Sequence, residues 1–278
     1  MNIIILSSKS SGSSALQKYF VTNHNCKAVA WTEHHENETL YWSKAASILG
    51  LPQQSMYRSQ VPYSMDSARS SLKLFLKNNG VAVDDFDSKD ALYEHFYSLI
   101  KINDFRFLEK SPHHLYNESN LQLIHDFISK HNNLEFKVLG LVRHPQAVLY
   151  SAWKRWRFIP KEFEKEWSTS YKNLLSWKEK LDIQIIKYED LASDSLDLDQ
   201  LLKIKNESLN NFRFKSGSIN KWKEDKEYGH VLSKETEDLA RQLGYKDFLP
   251  SGNKFVWSLK HVTQKLYFQL RQLMSTSN

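Results

Sequence analysis

The chain has 278 residues, of which 41% are hydrophobic and 13% aromatic, so it is able to bury a sizeable core. No run approaches the roughly 18 apolar residues that a membrane-spanning helix needs, and the apolar start over residues 3–6 is too short for a secretory signal. The single cysteine, Cys26, excludes an internal disulfide. We therefore expect a cytoplasmic protein without a transmembrane segment.

The net charge is +6, because 38 Lys and Arg residues outnumber 32 Asp and Glu residues. Such a balance is typical of a solvated surface or of a protein with anionic ligands, and both readings stay open. Basic residues gather at predicted loop ends: Lys9, Lys110, Arg143, Lys154, Arg155, Lys215, Lys221 and Lys223. The sequence lacks the repeat of aromatic and basic residues that tracks a nucleic-acid strand, so we expect no nucleic-acid partner.

The first twenty residues have the pattern of a strand, a tight loop and a helix. Apolar residues 3–6 lead into a loop of serines with Lys9 and Gly12, and a helix-competent segment follows at once. This order brings backbone N–H groups and a helix N-terminus around an anion. A Walker loop would have lysine after Gly12, where this chain has Ser13, which argues against a magnesium-dependent nucleoside triphosphate site. Taken alone, the loop is either an anion site or a serine-rich turn.

Strands and helices alternate along the rest of the chain. Apolar runs predict strands over 27–31, 106–110, 136–142 and 182–188. Helical spacing predicts helices over 43–49, 64–79, 88–100, 115–130, 145–156 and 161–181, and an amphipathic C-terminal helix over about 254–275. That last helix either packs onto the domain or meets a partner or a membrane surface. Two polar stretches predict loops, 53–63 and 205–230, the second of them mobile and with few core residues.

The alternation predicts an α/β fold, a single domain over residues 1–278 with a mostly parallel central sheet flanked by helices, like P-loop nucleotide-binding proteins. A helical insertion is expected over about 53–103. Ligands of such sheets bind at the carboxyl ends of the strands. Those ends collect four groups that we expect at one rim: residues 7–14, the polar tract 33–38, Lys110 with Ser111, and Arg143.

A second motif follows the most apolar predicted strand. Arg143 stands at the end of this strand, and Pro145 suits the first turn of the next helix. The planar guanidinium group of Arg143 is suited to phosphate, and Ser151, about two turns into the helix, would add a hydroxyl to the same anion. Taken alone, Arg143 could be an ordinary residue at a strand end, and Ser151 an ordinary surface serine.

Together and in this order, the two motifs resemble those of sulfotransferases that use 3′-phosphoadenosine 5′-phosphosulfate as donor. The family's phosphosulfate loop, [K/R]-[S/T]-G-[T/S]-[T/S], is similar to Ser11-Gly12-Ser13-Ser14. Its R-x-P-x-x-x-x-x-S motif is similar to Arg143, Pro145 and Ser151, without a gap.

The carbohydrate- and protein-modifying branches of that family add two further motifs. Their K-E-x-H-[FY]-[FW] resembles residues 37–42, with Glu38 at the base position, and their E-K-T-P resembles Glu109-Lys110-Ser111-Pro112. Residues 216–223 resemble the late loop that closes over the nucleotide. The matches span residues 3–223.

The resemblance implies a role for each matching residue. Glu38 would take the proton of the acceptor hydroxyl, and Lys9 or Lys110 would neutralise the leaving adenosine 3′,5′-bisphosphate, without a metal. The residues that would bind the donor are Lys9, Ser10, Ser11, Gly12, Ser13, Ser14, Arg143, Ser151, Ser218, Trp222 and Lys223. The acceptor expected from these branches is a carbohydrate hydroxyl, with peptide tyrosine or a small metabolite as alternatives. The oligomeric state is not predicted.

The chain departs from the family pattern at three positions. The family's basic loop residue falls on Ser10, and Lys9 stands one place early. Either the loop is one residue longer and Lys9 still reaches the sulfate, or Lys110 carries more of that role. Asn37 replaces the family's lysine before the glutamate, and Leu40 replaces its histidine.

Several alternatives stay open. The competitors of Glu38 as base are Glu33, His34, His35 and Glu36. Rival classes are a small-molecule kinase and a catalytically decayed nucleotide-binding or scaffold protein. The adjacent histidine pairs 34–35 and 113–114 lack the spacing of a zinc site, so we expect no metal. Four aromatic residues would either line an acceptor cleft or, as their helical spacing favours, pack in the core: Trp153, Trp156, Trp167 and Tyr171.

Overall fold

A computed structural model of the chain describes residues 1–83, 86, 88–205, 211–253, 256–259 and 263. The predicted C-terminal helix over about 254–275 falls almost wholly outside these residues. No helix within the described part is long and apolar enough to cross a lipid bilayer. The chain divides into two compact units: a first unit of Met1–Arg143 and Thr169–Lys215, and a second unit of His144–Ser168 and the described residues from Ser216 onward. The single domain over 1–278 stays a prediction.

The sheet lies in the first unit and is parallel throughout. Its described strands are β1 (Asn2–Ser7), β2 (Leu108–Lys110), β3 (Phe136–Val142) and β4 (Gln184–Lys187), in the order β2-β1-β3-β4. Every residue of β1 is buried, as expected of a central strand covered on both faces. Parallel register carries the last residues of β1, β2 and β3 to the same edge of the sheet. The α/β class with a parallel sheet is confirmed.

Helices precede, separate and follow these strands along the chain. Before β2 they are α1 (Ser13–Asn23), α2 (Tyr41–Ile48), α3 (Met65–Asn78) and α4 (Lys89–Ile102). Between β2 and β4 they are α5 (Glu118–Lys130), α6 (Pro145–Trp156) and α7 (Pro160–Trp177). After β4 they are α8 (Tyr188–Ala192), α9 (Leu198–Leu202), α10 (Lys221–Glu224) and α11 (Lys234–Gln242).

Helix starts follow the capping signals of the sequence. The hydroxyl of Ser64 accepts from the backbone N–H of Ser67 before α3, and that of Ser88 accepts from Ala91 before α4. Pro145 opens α6, where its missing N–H costs no helical hydrogen bond. The predicted starts of these helices are confirmed to within one residue.

Helix α7 packs tightly on β3 through a glycine. A Cβ atom at Gly140 would lie 2.7 Å from Cδ1 of Leu174 and 2.8 Å from Cγ2 of Ile183. Of the four aromatic residues weighed between cleft and core, three are buried, namely Trp153, Trp167 and Tyr171, whereas Trp156 is 39% exposed. Core packing is therefore confirmed for three of them, and for Trp156 the expectation is wrong.

The predicted strand over 27–31 is wrong. Lys27 makes a single bridge to Phe107, and the chain then leaves the sheet. Backbone groups of this segment instead form hydrogen bonds with the side-chain amide of Asn79. Its Oδ1 atom accepts from the N–H groups of Ala30 and Trp31 at 2.9 and 3.1 Å. A side chain distant in sequence thus replaces the neighbouring strand.

The predicted polar loop over 205–230 is also corrected. Helix α10 lies within it, and Trp222 and Tyr228 are buried at 2% and 0% exposure. They share a core cluster of the second unit with Ala147, Trp153 and Trp257. The lysines and glutamates around these two aromatic residues give the segment a polar composition, and for this reason the sequence predicts a loop and not a core.

Candidate functional site

The loop between β1 and α1 makes a tight turn. Ser10 and Gly12 have left-handed backbone angles, with φ values of 61° and 97°. Glycine is needed at residue 12, because a Cβ atom there would lie 2.5 Å from the Tyr188 ring. Gly12 precedes α1, whose N-terminus is capped by no side chain of the described residues. The first turn of α1 therefore presents the positive end of a helix dipole.

Buried hydrogen bonds hold this loop in place. The Tyr171 hydroxyl donates to the carbonyl oxygen of Leu141 at 3.0 Å and thus accepts from the hydroxyl of Ser8 at 3.1 Å. The hydroxyl of Ser11 donates to the carbonyl oxygen of Ser8. Both serines are buried. The loop conformation is therefore set by β3 and α7 as well as by its own sequence.

Lys110, the last residue of β2, brings a positive charge to this loop. Its side chain is fully buried. The Nζ atom donates to the carbonyl oxygen of Glu36 at 2.7 Å and to the hydroxyl of Ser14 at 3.4 Å, and it lies 3.6 Å from Oε1 of Glu38. Burial lowers the pKa of Lys110, while the negative charges of Glu38, Glu36 and Glu109 oppose that shift.

Glu38, the predicted base, lies between Lys110 and His113. Its Oε2 atom is 3.4 Å from Nδ1 of His113, and its side chain is 17% exposed. Burial alone would raise the pKa of Glu38, but the contact with His113 and the charges of Lys110 and Lys9 outweigh burial and hold that pKa below its ordinary value. Burial lowers the pKa of His113, although Glu38 opposes this. At neutral pH the pair is an ionised carboxylate beside a neutral imidazole.

A buried network fixes the segment that carries Glu38. The hydroxyl of Thr32 donates to the carbonyl oxygen of Glu38 at 2.6 Å. The hydroxyl of Ser111 accepts from the backbone N–H of Thr39 at 3.1 Å. The hydroxyls of Thr39 and Ser111 in turn donate to the buried carboxylate of Glu109, at 2.7 and 2.8 Å. The Glu109-to-Pro112 stretch therefore positions Glu38 as well as Lys110.

A second carboxylate, that of Glu36, lies at the first turn of α1. The hydroxyl of Ser14 donates to it. Glu36 and Asn37 both have left-handed backbone angles, with φ values of 60° and 57°, which are uncommon outside glycine. The Glu36 carboxylate thus already uses one of the donors that the sequence predicts for an anionic ligand.

Lys9, the other predicted cation, points from the loop to a different neighbour. Its Nζ atom donates to the carbonyl oxygen of Tyr57 at 3.2 Å. Its charge nevertheless contributes to the lowered pKa of both Glu38 and His113. Lys9 and Lys110 therefore both act on Glu38, and the division of the sulfate role between them stays a prediction.

The competing bases of the polar tract have partners of their own. Glu33 lies 3.0 Å from the buried ammonium group of Lys44 and accepts from Ser71. Burial, together with the charge of Lys44, lowers the pKa of His34 to about 4. The side chain of His35 is outside the described part of the chain. Glu33 is thus paired with Lys44, and the imidazole of His34 is neutral at neutral pH.

Arg143, at the end of β3, also contacts the loop. Its Nη1 atom donates to the carbonyl oxygen of Ser10 at 3.2 Å, and its guanidinium group lies 4.5 Å from the centre of the Tyr188 ring. Tyr188, directly after β4, also packs against Gly12. The carboxyl ends of β2 and β3 therefore lie beside the segment that follows β1, with Lys110 at the first turn of α1 and Arg143 at the loop, as their parallel order predicts.

The remaining predicted residues lie in the second unit. Ser151 is partly exposed on α6, and Ser218 ends a short 3₁₀ turn over Ser216–Ser218. Trp222 is buried and stacks on His144, with ring centres 4.9 Å apart. The Nζ atom of Lys223 lies 5.2 Å from the centre of the Trp222 ring. The Trp222 ring is thus a core element of this unit, and its assignment to the nucleotide stays a prediction.

Two residues of the first unit were missed as site residues by the sequence reasoning. His113 was considered only as part of a metal pair, and Tyr188 only as the end of a strand. Both stand at or just beyond the carboxyl end of a parallel strand, so the rule that collected Lys110 and Arg143 also points to them.

Comparison of the chain with protein-family models gives no match, and comparison with curated proteins gives none either.

Proposed function

We propose that the protein is a sulfotransferase that moves the sulfuryl group of 3′-phosphoadenosine 5′-phosphosulfate to an acceptor hydroxyl group. The favoured acceptor is a carbohydrate. The observation that carries the proposal is the meeting of Lys110, Ser14 and Glu38, in which a buried cation lies 3.4 Å from a hydroxyl of a helix N-terminus and 3.6 Å from a carboxylate. The first two groups suit an anionic leaving group, and the third suits removal of a hydroxyl proton.

The donor set of the loop fits a phosphosulfate. The buried hydroxyl of Ser10 has no hydrogen-bond partner among the described residues, and a phosphate or sulfate oxygen would satisfy it. Gly12 keeps the loop backbone free of a side chain at the same turn. Ser14 and Lys110 add a hydroxyl and a charge. The Glu36 carboxylate opposes this fit, because it must leave Ser14 when an anion binds there.

The bound donor supplies the sulfuryl group and a nucleotide leaving group. Lys110 and the first turn of α1 neutralise the charge that grows on the 5′-phosphate oxygen, and Lys9 assists. Glu38 accepts the proton of the attacking hydroxyl, a contribution on the order of 10²–10⁴ in rate. Arg143 binds the 3′-phosphate through its planar guanidinium group. For Ser151, Ser218 and Lys223, a contact with the nucleotide is implied only by the motifs that they resemble.

The acceptor class follows from the resemblance of the Glu38 and Lys110 motifs to those of the carbohydrate- and protein-modifying branches. Carbohydrate hydroxyls come first, and peptide tyrosine or a small metabolite are the alternatives. A cytoplasmic location is part of the proposal, because the sequence has a single cysteine, Cys26, and therefore needs no internal disulfide.

The test of the proposal is a transfer screen with sulfur-labelled donor against glycans, tyrosine peptides and phenols. Label is expected in a glycan fraction. In parallel, adenosine 3′,5′-bisphosphate at a hundredfold over its dissociation constant is expected to stabilise the fold by about 2.7 kcal/mol. Absence of a thermal shift at millimolar nucleotide would refute the donor assignment. Turnover of ATP with magnesium in place of sulfuryl transfer would favour the kinase alternative.

A further inference from the structure

We propose that Glu38 and His113 work as a pair, in which His113 is the final holder of the proton that Glu38 takes from the acceptor. This inference rests on the proposed sulfuryl transfer and adds a residue to its machinery. His113 acts through Glu38 and is therefore a positioning residue of the reaction.

The geometry of the pair is direct. The Nδ1 atom of His113 lies 3.4 Å from Oε2 of Glu38, while Oε1 of the same carboxylate faces Lys110 at 3.6 Å. The two oxygens of Glu38 therefore have different neighbours, a cation on one side and an imidazole on the other. A proton received by this carboxylate has a short path to Nδ1 of His113.

The backbone around His113 is fixed. Its carbonyl oxygen accepts from the side-chain amide of Asn120 at 3.3 Å, and the backbone N–H of His114 donates to the backbone carbonyl oxygen of Ser111 at 3.0 Å. The Nδ1 atom is fully buried, and the side chain as a whole is 11% exposed. His113 is thus held against Glu38 by the same strand end that carries Lys110.

The environment of Glu38 explains why a partner is needed. Burial alone would raise the pKa of Glu38, but the charges of Lys110 and Lys9 lower it. A carboxylate whose ionised form is stabilised in this way holds a proton weakly, and it is therefore a weaker base towards the acceptor hydroxyl. Handing the proton to an imidazole restores the ionised carboxylate beside Lys110.

His113 is able to accept this proton because its imidazole is neutral beforehand, with its own proton on Nε2 and a lone pair on the Nδ1 atom that faces Glu38. Burial lowers its pKa, while Glu38 opposes the shift. The other charged or titratable groups that act on it are Lys9, His114 and His34. Lys9 disfavours the protonated imidazole, and the ionised Glu38 favours it, so the carboxylate must be ionised when His113 holds the proton.

The atoms and electrons of the step balance. The acceptor oxygen forms a bond to sulfur while the bond from sulfur to the 5′-phosphate oxygen breaks, and that oxygen keeps the electron pair. The acceptor proton passes to Glu38 and from there to Nδ1 of His113. The products are the sulfated acceptor, adenosine 3′,5′-bisphosphate and an imidazolium ion that returns its proton to solvent.

The test compares His113→Asn with the wild type in the transfer assay, over a range of pH. The asparagine amide reaches the position of Nδ1 and still contacts Glu38, but it takes up no proton. We expect about 10- to 100-fold lower kcat at neutral pH and an acidic limb of the kcat/KM profile that moves to lower pH, because Glu38 alone then sets it. Binding of adenosine 3′,5′-bisphosphate is expected to stay within about twofold of the wild type.

The controls separate this inference from the proposed function. His125→Asn, on a partly exposed histidine of α5, is expected to leave both rate and profile unchanged. Activity of His113→Asn within threefold of the wild type, with an unmoved acidic limb, would overturn the pair and leave the sulfotransferase standing. Wild-type protein that binds the nucleotide and transfers no sulfate to any acceptor of the screen would overturn both.

Discussion

The Nζ atom of Lys110 lies 3.4 Å from the hydroxyl oxygen of Ser14, so that the end of β2 and the first turn of α1 meet at one point. The lysine is fully buried, which strengthens its electrostatic effect on any anion that binds there. This contact makes Lys110 the stronger candidate of the two cations that the sequence left open.

Lys110→Met is expected to slow sulfuryl transfer by about 10²–10³-fold, because it removes a preorganised charge from the leaving group. The matched variant Lys9→Met is expected to lose less, since Lys9 reaches the carbonyl oxygen of Tyr57. Initial rates with labelled donor compare the two, and circular dichroism checks that both fold. A larger loss for Lys9→Met would assign the main role to Lys9.

Gly12→Ala is expected to destabilise the protein by about 2–4 kcal/mol, through a left-handed backbone angle and overlap with the Tyr188 ring. Gly80→Ala is the matched control, because Gly80 has a similar φ of 79° but nothing within 4 Å of a Cβ atom. The control is expected to lose only about 1 kcal/mol. Urea denaturation measures both, and equal losses would contradict the close packing of Tyr188 on the loop.

Sequence reasoning found the parts of the fold whose signals are local. The strands β1 and β3 are apolar runs, and the serine caps of α3 and α4 are read directly from the chain. The strand over 27–31 failed because Asn79, some fifty residues further on, takes its backbone hydrogen bonds. No window around residue 30 contains that information.

In the site, too, some features follow from local sequence signals and others depend on contacts between distant segments. Strand-end positions placed Lys110 and Arg143 at one rim, because parallel strands carry their ends to one edge. The contact of Glu38 with His113 depends on how the chain turns after Pro112 and on a network around Glu109, and neither is visible as a spacing. The buried Trp222 was hidden for another reason, since its neighbours in sequence are charged.

Arg143→Lys is expected to weaken adenosine 3′,5′-bisphosphate more than adenosine 5′-monophosphate, because lysine keeps the charge but loses the planar fork. We expect the dissociation constant of the first nucleotide to rise about tenfold, which corresponds to the loss of one charged hydrogen bond, and that of the second to rise less than twofold. Calorimetric titration of both nucleotides gives the ratio. An equal loss for the two would refute the assignment of Arg143 to the 3′-phosphate.

Glu36→Gln is expected to tighten binding of adenosine 3′,5′-bisphosphate by about tenfold, since the nucleotide no longer has to displace a carboxylate from Ser14. Adenosine 3′-monophosphate, which has no 5′-phosphate, serves as the ligand control and is expected to bind both proteins alike. Titration calorimetry at constant salt makes the comparison. Unchanged affinity for the bisphosphate would show that Glu36 does not compete for the anion site.

Glu164→Gln is expected to destabilise the protein at neutral pH, and its difference from the wild type is expected to shrink as the pH falls. Burial would raise the pKa of Glu164, but hydrogen bonds from His230, Thr236 and Ser233 outweigh it and lower that pKa from 4.5 to about 2. The unfolded chain therefore takes up a proton before the folded one does, so the stabilisation is complete above pH 4.5 and is lost as the pH falls towards 2. Urea denaturation between pH 7 and 3 measures the difference in the free energy of unfolding between Glu164→Gln and the wild type. Glu162→Gln on the same helix is the control, and its stability is expected to lie within about 0.5 kcal/mol of the wild type. A difference that stays constant or grows on acidification would contradict the role of the Glu164 carboxylate.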